Sequence, residues 1–167
     1  CGRAFAGRVA IDTPATPGPN PFADQALIMH VRGCGEDELR VPFHVGEDRS
    51  RTWVITRIQD EASDTRLRLK HDHRHEDGTD DATTMYGGDS VAVGTPQRQE
   101  FPVDDFSIAL FEKESLPASV TNTWAMELRS GEEFVYELAR PGGRLFRVEF
   151  DLTKPVAAPA APWGDED

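Results

Sequence analysis

From Ala26 to Leu152 the chain divides into short runs rich in β-branched and aromatic residues, separated by turn formers, as antiparallel strands do. The clearest alternation lies late in the chain. Trp124, Met126 and Leu128 share one parity, and so do Phe134, Tyr136 and Leu138. Phe146, Val148, Phe150 and Leu152 oppose Arg147, Glu149 and Asp151. Successive strand side chains point to opposite faces, so each run presents one dry and one wet face. Ser130-Gly131 and Pro141-Gly142-Gly143 supply the positive φ angles that hairpin reversals need.

The pattern predicts strands at Ala26–Arg32, Glu38–Val45, Arg51–Gln59 and Thr65–His75, then Asn122–Arg129, Glu133–Arg140 and Arg144–Leu152. Weaker ones fall at Ala82–Tyr86 and Asp89–Val93. One helix interrupts them: Val103, Phe106, Ala109 and Leu110 recur at helical spacing, Asp104 and Asp105 suit the positive end of the dipole, and Pro117 stops any continuation. Roughly eight or nine strands with one short helix make a mainly β fold, either a closed antiparallel barrel of calycin-like layout or a two-sheet sandwich. The barrel is preferred because closure protects sheet edges. The run TPATPGPN, Thr13 to Asn20, opposes both helix and sheet, so residues 1–24 read as a Pro-rich tether. Residues 25–154 read as a single domain, and 155–167 as a Pro/Ala-rich acidic tail in which Trp163 is the docking residue.

Composition narrows the function. The 167 residues suffice for one domain, and 30 acidic against 18 basic residues give a net charge of −12. Such a chain repels phosphate backbones, so nucleic-acid binding is excluded as the reading. No apolar run approaches the roughly 18 residues of a membrane-spanning helix.

The segment richest in chemistry is Arg66 to Gly78, which holds three of the five histidines. On a strand, His71, His73 and His75 continue the inward parity of Leu67 and Leu69, while Arg66, Arg68, Lys70, Asp72 and Arg74 face solvent. Alternate strand residues lie about 6.5–7 Å apart, so neighbouring pairs of these imidazoles can share an ion, whereas all three need a bend. They are therefore candidate ligands for a transition metal such as zinc, or hydrogen-bonding groups in a barrel pocket. The HxHxDH, cupin and EF-hand patterns are not met. Polar histidines filling a barrel end are the favoured reading, with a metal site as its alternative. Trp53, Trp124 and Tyr136 are the large side chains expected to line the same pocket.

Other features carry less. The glycine-rich stretch Met85 to Ser90 lacks any phosphate-loop signature and reads as a tight hairpin turn. Ser107, Ser115 and Ser119 sit outside a nucleophile-elbow setting, so no catalytic residue is assigned. Cys34, between Gly33 and Gly35, has no CxxC partner, and a Cys1–Cys34 disulfide in an oxidising compartment is one reading of the cysteine pair.

Cys1-Gly2 ahead of a polar, Pro-rich stretch also resembles the mature start of a bacterial lipoprotein. The resemblance implies a diacylglycerol thioether on Cys1, a membrane partner through that anchor, and export to the periplasmic face of the outer membrane, since Gly rather than Asp follows the cysteine. Buried acyl CH₂ groups would hold such an anchor at roughly 0.8 kcal/mol each. The functional expectation is an exported, non-enzymatic β domain that binds a small ligand or a protein partner. The alternative is metal binding or metal-dependent chemistry through His71, His73 and His75.

Overall fold

A computed structural model describes residues 1–13, 21–22, 24–59, 65–91 and 94–165. The strands are β1 (Ala4–Thr13), β2 (Leu27–His30), β3 (Gly33–Cys34), β4 (Glu38–Val45), β5 (Asp48–Gln59), β6 (Thr65–His73), β7 (Tyr86–Asp89), β8 (Arg98–Pro102), β9 (Thr123–Arg129), β10 (Glu133–Arg140) and β11 (Arg144–Val156). Helix α1 (Asp105–Lys113) and a 3-10 turn at Pro117–Thr121 stand between β8 and β9. All ladders are antiparallel, in the order β7-β6-β5-β4-β2-β1-β11-β10-β9-β8, with β3 paired to β4. This is a nearly closed β-barrel, which decides between barrel and sandwich.

The expected alternation packs its interior. Tyr136 stands opposite Met126 and Val148, Leu138 opposite Trp124 and Phe146, and Phe134 opposite Phe150, whereas Leu128, expected on the same face, is exposed. Leu69, Phe101, Val148 and Phe150 are completely buried. The outer face of the same sheet carries charge in complementary pairs. Arg98 and Arg147 each reach both Glu127 and Glu137 at 2.5–3.1 Å.

The two ends of the sheet meet at a seam. Gly87 O accepts from Asp104 N at 3.0 Å. Gly87 N donates to Ser107 Oγ at 2.8 Å, and that hydroxyl donates to Asp104 Oδ1 at 2.6 Å. Lys70 Nζ reaches the other Asp104 oxygen at 2.5 Å. A Cβ on Gly88 would stand 1.7 Å from Pro102 O, so only glycine permits this approach.

Several expectations need correction. The tether reading fails for Ala4–Thr13, which is a full strand between β2 and β11. Its ladder shifts register between Phe5 and Gly7 and between Val9 and Ile11, and those irregularities bend the strand as barrel curvature requires. The rest of the TPATPGPN run, residues 14–20, lies outside the described residues, as do Ala92 and Val93; of the strand expected at Asp89–Val93, Asp89 ends β7 and Ser90 and Val91 are not strand. Ala82–Tyr86 is mostly turn, because Asp81 Oδ1 accepts from both Thr83 N and Thr83 Oγ1 and Thr84 N returns to Asp81 O. The glycines expected to form a hairpin turn sit inside β7, where they serve the seam.

Helix α1 starts where Asp104 caps Ser107 N, but its inner face differs from the periodicity. Ser107 and Phe111 are buried, whereas Phe106 is exposed with Lys70 Nζ 5.1 Å from its ring centroid. The seam demands a hydroxyl at Ser107, and that rotates Phe106 outward. The tail does dock at Trp163, whose backbone N–H donates to Arg49 O at 3.1 Å, while β11 extends into the tail as far as Val156.

Candidate functional site

β6 delivers His71 and His73 to the barrel interior, as their parity required. His71 is 3% exposed and lies between Tyr86, stacked at 4.4 Å, and Trp124 at 5.1 Å. Its Nδ1 lies 3.2 Å from Tyr86 O and its Nε2 2.9 Å from Tyr136 Oη. A carbonyl only accepts, so Nδ1 carries the proton and Nε2 accepts from the Tyr136 hydroxyl. Burial, aided by the neighbouring His73, lowers the His71 pKa to about 3, and the ring is neutral. His73 Nε2 lies 3.2 Å from Tyr86 Oη, and burial followed by the charge of Arg51 lowers its pKa to about 4. The Tyr86 phenol is pushed up to about 12 by burial.

His75 does not join them. β6 ends at His73, and the bonds His75 N to Thr79 O and Gly78 N to His75 O close a turn that leaves its side chain 57% exposed. Its Nε2 lies 3.9 Å from Asp81 Oδ2. Among the described residues, no group of three or more His, Cys, Asp or Glu side chains is placed to hold a metal ion. The residues present do not fit the zinc-type site expected of His71, His73 and His75: one ring has left the row, and both nitrogens of His71 are engaged. Asp72 is not solvent-exposed as expected but buried beside Arg40 and Arg74; burial would raise its pKa, but hydrogen bonds from Arg74 and Arg40 outweigh this and lower it.

The interior histidines form part of the wall of a cavity of about 310 Å³, within the ~300–1,000 Å³ span of small-molecule pockets. Trp53, Trp124 and Tyr136 line it too, so five of the six expected pocket residues converge and His75 is the exception. Trp53 is stacked between Phe43 at 4.9 Å and Tyr136 at 4.7 Å, which joins β4 and β5 to β10 across the barrel. Phe22, 4.8 Å from Phe146, and Phe111 extend the aromatic lining. From these buried rings the lining reaches the surface at Leu116, which is 40% exposed.

Sequence reasoning missed the charged part of the lining: among the described residues Arg51, Arg140 and Arg144 contribute to it, and no carboxylate does. Arg51 pairs with Asp48 and Arg144 with Asp12. Arg140 donates from Nε to Asn122 Oδ1 at 2.5 Å and from Nη2 to Ser119 Oγ at 3.3 Å. Arg140 and Arg144 stand opposite each other at the root of the β10–β11 hairpin. The flanking Pro-Gly-Gly announced that hairpin, but no local pattern tells which strand end meets a cavity.

The cysteines form a Cys1–Cys34 disulfide with Cα atoms 6.2 Å apart. A lipid thioether would use the same Cys1 sulfur that forms this disulfide. No family model, curated protein or solved structure matches this chain.

Proposed function

We propose that this protein is an exported binding module whose barrel interior receives a small, largely apolar ligand. The observation that carries the reading is the cavity of about 310 Å³ walled by stacked aromatic side chains and open toward the 3-10 turn. Aromatic walls offer dispersion and apolar area, while a few fixed polar groups orient what enters. His71 suits that fixed role, since its tautomer is set by Tyr86 and Tyr136. Binding is favoured over turnover because, among the described residues, no serine or threonine hydroxyl is hydrogen-bonded to a histidine ring. Export is supported by the disulfide, since such bonds persist in oxidising compartments and are rare in reducing ones.

Titration with N-phenyl-1-naphthylamine, a neutral probe that fluoresces in apolar surroundings, tests the reading. Saturable binding of one probe per chain is expected, and it should fail in Ser119→Trp, which places an indole at a lining position. Absence of saturable binding to the folded wild-type protein would refute the reading.

A further inference from the structure

The charges lining the cavity are all of one sign. The chain has 30 acidic residues against 18 basic, yet among the described residues the cavity takes three arginines and no carboxylate. Two of these cations are already neutralised, Arg51 by Asp48 and Arg144 by Asp12. Arg140 is different: among the described residues its guanidinium meets only the neutral oxygens of Asn122 and Ser119. It is half-buried and directly opposite Arg144 across the β10–β11 ladder, where like charges repel. Burial first, and the Arg144 charge second, pull its pKa below the usual guanidinium value. A guanidinium held in place by two neutral acceptors keeps the remainder of its donor fork for a planar oxyanion.

We infer that the ligand is a small organic anion with a flat apolar body, whose carboxylate or similar oxyanion seats on Arg140 while the body lies among Trp53, Trp124 and Tyr136. The inference rests on the binding-module reading above and specifies the class of ligand. Long-range electrostatics oppose it, since a net charge of −12 repels anions at a distance. Any preference for an anion must therefore arise within the cavity.

A matched pair of probes tests it: 8-anilinonaphthalene-1-sulfonate and its neutral counterpart N-phenyl-1-naphthylamine share the same ring system. The wild-type protein is expected to bind the sulfonate at least tenfold more tightly, one per chain. Arg140→Gln should bring the two affinities to within about twofold by weakening the sulfonate alone, and Arg140→Lys should keep part of the preference. Equal wild-type affinities for the two probes would overturn the anion inference and leave the binding module standing. So would an undiminished sulfonate preference in folded Arg140→Gln. Binding of neither probe would overturn both. If Arg140→Gln fails to fold, the wild-type ratio and Arg140→Lys still decide.

Discussion

The Tyr136 hydroxyl donates to Nε2 of His71 at 2.9 Å, linking β10 to β6, strands that do not neighbour each other in the sheet. Both partners are buried, and both line the cavity. The bond therefore braces the barrel across its interior, while the Tyr86 carbonyl on the other ring nitrogen fixes which one is protonated.

Tyr136→Phe keeps the ring and removes the donor, leaving a buried Nε2 unpaired. The expected loss is about 1–3 kcal/mol of unfolding free energy, read as a lower urea midpoint with an unchanged m-value. An unchanged midpoint would mean that water replaces the hydroxyl.

Stability should be sensitive to mild acid. His44 and His73 are lowered to about 4 and His71 to about 3, in each case chiefly by burial. Above the ordinary histidine value of 6.5 both native and unfolded chains are neutral there, and stability is at its full value. As pH falls below 6.5 the unfolded chain takes up protons that the native chain refuses, costing about 1.4 kcal/mol per pH unit for each such histidine. The loss continues to about pH 4 for His44 and His73, and to about pH 3 for His71. Urea midpoints should fall steadily from pH 7 to pH 5. A flat profile over that range would show that these rings are protonated in the native state.

Gly88→Ala should open the seam, since its Cβ would press on the Pro102 carbonyl at 1.7 Å. Overpacking of this kind costs about 1–3 kcal/mol or more. Hydrogen exchange should quicken at β7 and β8 before it does in β10 and β11. Uniform protection in the variant would contradict the seam.

Reducing the Cys1–Cys34 bond, which spans 33 positions, should cost about 2–4 kcal/mol and release the start of β1 from β3. The barrel ladders do not depend on it, so circular dichroism should keep its β signature. Intact mass before and after reduction checks the bond: a gain of one pair of hydrogens is expected, and a mass carrying acyl chains on Cys1 would contradict it.

Much of this fold was legible because local alternation and burial coincide. β4 and β10 fall on their expected bounds, and the β9–β11 meander places its aromatic faces inward as read. What escaped depends on partners distant in sequence. β1 is interrupted by register shifts, and its longest ladder is with β11, more than a hundred residues away. β8 buries Phe101 within an otherwise polar run, and Phe106 mimicked a core position that Ser107 holds. For the site, strand parity sufficed for His71 and His73 but not for His75, because the strand stopped first. Trp53, Trp124 and Tyr136 were found by size. Arg140 continues the parity of Tyr136 and Leu138, and Arg144 that of Phe146 and Val148, but charged strand ends ordinarily face solvent, so neither reads as lining the cavity.

The indole N–H resonances of the three tryptophans report where a bound ligand sits. Trp53 and Trp124 line the cavity, whereas Trp163 docks on Arg49 and is not part of the lining. During titration with N-phenyl-1-naphthylamine, the Trp53 and Trp124 signals should shift along one saturable curve while Trp163 stays fixed. Movement of Trp163 with the other two unmoved would place the probe on the surface and contradict a ligand-receiving barrel interior.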